Sequence, residues 1–198
     1  MKDEKRLLIL GGGRYQKNLI QCAERNGIRT VISDYLADAP GKLFASYPTM
    51  TDALDLDANV SIANEYNVSG VMTSGTDQAL NTMAGVAQKL NLPCYLSPVS
   101  ARLCTNKNAM TAAMQASNLP RPESVKVTGS YQPDDIMEKL RIPVVVKPSD
   151  AQGQRGISIV DHEEDLARAI SDALEASRES SAIIEEFLDG PEVTVSAW

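Results

Sequence analysis

Pro143-Val-Val-Val-Lys147-Pro-Ser149-Asp-Ala-Gln152-Gly153-Gln154-Arg155-Gly156-Ile-Ser-Ile-Val160, taken with Ala182-Ile-Ile-Glu185-Glu186-Phe-Leu188-Asp-Gly190-Pro-Glu192-Val-Thr-Val195, decides the fold of this 198-residue chain. Val144 to Val146 is a short β-branched run ending in a lysine, and Ile157 to Val160 is a second such run after a loop with two glycines. Ala182 to Glu186 is a further apolar strand that closes on two carboxylates. Between the last two lies a helical pattern, Glu163 to Ala176; upstream lie a strand, Ser124 to Val127, and a helix, Pro133 to Leu140. Strand pairs with helices between them predict an antiparallel α+β module.

The residues at the strand ends carry the chemistry. Lys147 would deliver one ammonium into a cleft, where it can act as a point charge on phosphate oxygens; the plainer reading is a lysine snorkelling to solvent. Gly153 and Gly156 favour the phosphate reading, because they let backbone amides approach an anion, and Ser149, Gln152, Gln154 and Arg155 add polar reach. Glu185, Glu186 and Glu192 bracket a Phe-Leu-Asp-Gly-Pro turn and can accept from an amine and a diol, although a solvated acidic hairpin would look the same. Together they read as a nucleotide clamp.

The first hundred residues follow another pattern. Strands at Leu7–Leu10, Thr30–Ser33 and Gly70–Thr73 alternate with helical stretches at Tyr15–Arg25, about Val60–Tyr66 and about Asp77–Leu90, which predicts a Rossmann-like parallel sheet covered by helices. Residues 91–100 are expected to close that sheet, and one helix, Ala101 to Ala116, to follow. The expected domains are 1–102 and 103–198, and the fold class α/β followed by α+β. The ending Glu192 to Trp198 alternates like a strand and has no polar tail, so the chain is expected to be the N-terminal part of a longer protein.

Gly11-Gly12-Gly13 lies between a strand and a helix and suits an anion-binding turn, and Asp34, after the next strand, suits a ribose. A nicotinamide enzyme is the rival, but Gly-x-Gly-x-x-Gly would need glycine where Gln16 stands. Thr73-Ser74-Gly-Thr76-Asp77 can cap the following helix or hold a substrate carboxylate.

Composition limits the partners. A net charge of -7 and pI near 4.8 provide no basic face for a nucleic-acid backbone. No apolar run reaches membrane-spanning length, and the four apolar residues before Gly11 are too few for a signal peptide, so a cytoplasmic protein without membrane partners is expected. Cys22, Cys94 and Cys104 are too scattered for a metal or redox motif and are expected as buried thiols, and His162 as a surface or capping residue.

In order and spacing, Ile183 to Glu192 resembles the hinge of the ATP-grasp superfamily, and Lys147 with its loop resembles that superfamily's phosphate clamp. Within it the chain looks like the carbamoyl-phosphate synthetase and biotin carboxylase branch and the related amino-acid ligases. The resemblance implies a pre-ATP-grasp domain followed by the ATP-grasp small subdomain, with ATP and Mg2+ as cofactors. It implies ATP-binding roles for Lys107, Lys147, Gly153, Gln154, Gly156, Glu185, Glu186, Leu188 and Glu192, and acceptor contacts for Gly12, Gly13, Ser74 and Thr76. Asn106 stands where the family commonly has an acid. The magnesium ligands are expected beyond Trp198, with none in this chain. The implied activity is an ADP-forming ligation of a small-molecule carboxylate to an amine or thiol through an acylphosphate, in an enzyme that would pair as a homodimer. A catalytically inactive nucleotide sensor is the alternative.

Overall fold

The computed structural model describes residues 4–195, which divide into two compact units, residues 1–105 and 106–198. The first contains β1 (Arg6–Leu10), α1 (Lys17–Arg25), β2 (Arg29–Ser33), a 3-10 turn (Lys42–Phe44), β3 (Tyr47–Thr49), α2 (Leu56–Glu65), β4 (Gly70–Met72), α3 (Leu80–Leu90) and α4 (Pro98–Thr105). Its sheet is parallel, in the order β3-β2-β1-β4, with Leu8 opposite both Val31 and Val71. Helices cover both faces, which explains the unbroken apolar run of β1. Leu8 and Leu10 pack with Met83 and Val86 of α3, while Ile9 packs with Ile32 and with Ile20 of α1.

Two expectations fail in this unit for reasons of backbone chemistry. Residues 91–97 form no strand; Leu92, Cys94 and Leu96 lie against the core as separate apolar contacts, and Pro93 has no amide to give to a ladder. The sheet instead gains β3, whose Tyr-Pro-Thr sequence reads as loop; Pro48 is tolerated because β3 is an edge strand. The cysteines also differ from expectation: Cys22 and Cys104 are exposed and Cys94 is partly buried. The stripe that α1 buries runs through Ile20 and Ala23, and that of α4 through Ala101 and Thr105, which leaves both thiols turned outward.

The second unit contains α5 (Lys107–Ala116), β5 (Ser124–Thr128), α6 (Pro133–Met137), β6 (Val144–Pro148), β7 (Ser158–Val160), α7 (Glu163–Ala176) and β8 (Ser181–Glu186). The expected single helix from Ala101 to Ala116 is two, because Asn106 is extended and caps α5 through the Ala109 amide. The sheet is antiparallel in the order β5-β8-β6-β7. Alternation divides its side chains: Val144, Val146, Ala182 and Ile184 join Leu166, Ile170 and Ala173 of α7 in the core. Lys147, Ile183 and Glu185 belong to the opposite face. The expected strand at Glu192 to Trp198 is absent among the described residues, since 187–195 form no strand and Val193 and Val195 are exposed; residues 196–198 lie outside the described residues.

Candidate functional site

Three charged groups converge on the second unit. In the β6–β8 register Lys147 is opposite Ile183 and Val145 opposite Glu185, so Lys147 and Glu185 are diagonal neighbours on one face. Their side chains form an ion pair, Nζ to Oε2 at 2.5 Å. Lys107 joins them from the first turn of α5, where its amide donates to the Ser149 carbonyl at 2.8 Å and its Nζ to the Ala151 carbonyl at 2.9 Å. Burial above all, and then the Lys147 charge, holds the Lys107 amine below the ordinary lysine range, against the opposing pull of Asp150 and Glu185. Two cations are thus held close together, with Glu185 paired to Lys147 and the Asp150 carboxylate acting on Lys107 from nearby.

The loop after β6 is tied at its base and open at its tip. Asp150 accepts from Ser177 Oγ at 2.7 Å and from the Arg178 and Glu179 amides, and the Ser149 amide donates to the Ser181 carbonyl. Gly153, Gln154 and Gly156 all have positive φ, and a Cβ on Gly153 would meet nothing, whereas one on Gly156 would come within 2.7 Å of Ala176 Cβ. Ser149 is fully buried and its Oγ has no hydrogen-bond partner. A backbone that can aim amides outward, an unspent buried hydroxyl and two amines form a donor set suited to phosphate oxygens.

The other residues expected in the clamp are dispersed. Glu186 alternates away from Glu185 and its carboxylate accepts the Glu123 amide at 2.9 Å, which ties the start of β5 to the end of β8. Phe187 donates its amide to Pro143, Leu188 is largely exposed, and Glu192 lies in the exposed stretch beyond β8. Asn106 explains its own departure from an acid: Oδ1 caps α5, while Nδ2 donates to Glu179 at 2.9 Å, a bond that a carboxylate would replace with repulsion. No group of three or more His, Cys, Asp or Glu side chains among the described residues is arranged to hold a metal.

The first unit has a cleft of about 360 Å³ at the carboxyl ends of its four strands. Gly13 and Thr76 line it, as do Asp34, Asp52, Tyr15 and Tyr35. Gly12 sits behind them, with its amide donated to Asp34 Oδ2 at 2.7 Å. Ser74 is not among the lining residues either: its carbonyl accepts from Gln16 Nε2 and its hydroxyl donates to the Tyr15 carbonyl. Residues 73–77 do not cap α3, whose N-cap position is Ala79, and Thr73 Oγ1 is bonded to the Leu10 carbonyl. His162 occupies the N-cap position of α7 without a side-chain cap bond. Asp52 and Asn59 carry no signal in the sequence, because the Tyr-Pro-Thr of β3 reads as loop; Asn59, fully buried, donates to the Asp52 and Asp55 carbonyls and fixes that wall. Buried Lys42 does the same for the Asp34 loop, donating to the Asp34 and Leu36 carbonyls.

The chain is similar in sequence and in fold to known proteins. Residues 112–198 match the family model described as D-ala D-ala ligase C-terminus. The chain is 28% identical to the carbamoyl phosphate synthase large chain of Vibrio parahaemolyticus over 98% of its own length and 19% of that protein's. It is 27% identical to the formate-dependent phosphoribosylglycinamide formyltransferase of Francisella tularensis, over 93% of this chain and 48% of that one. The chain therefore spans half or less of these curated relatives. In fold it matches N5-carboxyaminoimidazole synthetase from Staphylococcus aureus, solved in complex with ADP, with a TM-score of 0.73 at 19% identity, over 96% of this chain and 49% of that one.

Proposed function

Because the chain belongs to the ATP-grasp superfamily, we propose that it is the nucleotide-holding front part of an ATP-dependent ligase that joins a carboxylate to an amine or thiol. The observation that carries this reading is the convergence of Lys107, Lys147 and Glu185 beside a glycine loop anchored by Asp150. ATP supplies a transferable phosphoryl group. In the proposed reaction a carboxylate oxygen bonds to the γ-phosphorus as the bond to ADP breaks, and the amine then displaces phosphate at the acyl carbon. Lys107 and Lys147 neutralise charge on the phosphates, and Gly153, Gln154 and Gly156 bring backbone amides to the same oxygens. The partnerless Ser149 hydroxyl supports the fit, since a buried donor gains a hydrogen bond when an acceptor arrives. In this reading Glu185 and the backbone from Glu186 to Leu188 would lie along adenine, and Glu192, in the exposed stretch beyond β8, would serve the ribose. No step is assigned to magnesium through the residues of this chain.

The test is ATP binding by this chain together with ADP release by the whole protein, supplied with pairs of carboxylates and amines. The expected result is micromolar to millimolar ATP binding that Lys147→Met weakens by about tenfold or more, one lost charge-assisted contact being worth roughly 1.5–3 kcal/mol. Unchanged affinity in that variant would remove Lys147 from the site.

A further inference from the structure

The cleft of the first unit is an anion seat by topology, yet its chemistry opposes an anion. A glycine turn at the end of a strand ordinarily offers its amides to a phosphate. Here the Gly12 amide is donated to Asp34 Oδ2 at 2.7 Å, and the Lys17 amide to the Gly13 carbonyl. The chain's own carboxylate thus occupies the seat. Asp52 adds a second carboxylate, held by the Leu54 amide at 2.9 Å and by the Asn59 bond to its carbonyl. No Lys, Arg or His is among the described residues that line the cleft, and the Lys42 ammonium behind it is spent on two carbonyls.

What remains of the wall is aromatic and apolar. Tyr15 is held in place by Gly75, at φ +64°, where a Cβ would lie 2.5 Å from Tyr15 Cβ; Tyr35 faces the same space, and Leu10 and Leu54 form the floor. Rings and carboxylates together recognise an ammonium group on an apolar or aromatic body, whereas a phosphate ester would face two like charges with no counter-ion. We infer that this cleft receives a non-phosphorylated amine with a ring or apolar side group. That this amine is the acceptor of the ligation rests on the function proposed above; its binding does not.

Three probes with one ring and different charge test the inference on the 198-residue chain: benzylamine, benzyl alcohol and phenyl phosphate, at fixed ionic strength, followed by amide chemical shifts. Benzylamine should shift Gly13, Tyr15, Asp52 and Gly75 saturably, benzyl alcohol should bind about fivefold more weakly, and phenyl phosphate should not saturate. Asp52→Asn should bring benzylamine to within about twofold of benzyl alcohol, and Tyr35→Ala, at an exposed side chain, should weaken both alike. Equal binding of all three probes, preference for phenyl phosphate, or no binding at all overturns the inference. ATP added to the same sample and followed at Lys107 and Gly153 reports on the nucleotide reading separately, so either reading can fail while the other stands.

Discussion

At the scale of single residues, the Lys107 amine is the group most altered by its surroundings. Its folded proton affinity lies below the ordinary lysine value of 10.5 because burial and Lys147 disfavour the charge. The unfolded chain then holds more protons in the window between the two values, so the stability of the second unit rises with pH across it. Urea unfolding of the native chain and of Lys107→Met should show the native chain gaining relative to the variant as pH climbs toward 10.5; a constant difference would contradict the shift. Glu24 is perturbed by a different balance. Burial pushes its carboxyl up, but hydrogen bonds from the amides and hydroxyls of Thr30 and Ser46 outweigh that and hold it below the usual range. Those bonds tie α1 to β2 and to the segment before β3, so Glu24→Gln should cost about 1–3 kcal/mol at neutral pH, with less penalty in acid, as thermal melts would record. Lys147 and Glu185 were legible in the sequence because each ends an apolar run. Asp34's bond to Gly12 was not, because it depends on how a turn folds back across 22 positions.

At the scale of elements, alternation and helical period located nearly every strand and helix, since each lies against a core that enforces its period. The misreadings arise where a single side chain overrides the pattern. Asn106 interrupts what the apolar spacing extends as one helix, and Pro48 disguises an edge strand. The break at Asn106 gives a direct test: Asn106→Asp keeps the cap on Ala109 but sets two carboxylates together at Glu179. It should cost about 1 kcal/mol, and Asn106→Ala, which loses both bonds, about 2 kcal/mol, in denaturant titrations. The glycine loop is similarly determined at one end only. Gly156→Ala meets Ala176 and a positive φ, and should lose about 1–3 kcal/mol and distort the loop, whereas Gly153→Ala meets open space and pays only the backbone strain.

At the scale of the whole molecule, each unit has its own apolar core, and the second is built on one covered sheet face. Ile184 is at its centre, completely buried between β5, β6 and α7, so Ile184→Ala should cost about 3 kcal/mol and raise amide exchange throughout that sheet. The molecule is acidic overall, at -7, yet it sets aside two amines at one site, Lys147 from the sheet and Lys107 from α5. Because one of those amines already has the Glu185 carboxylate as its counter-ion, a phosphate that reaches Lys147 takes over an existing partnership; it does not neutralise a bare charge. Binding is then an exchange of anions, which frees the one Glu185 carboxylate, and its dependence on ionic strength should be shallower than two free lysines would give.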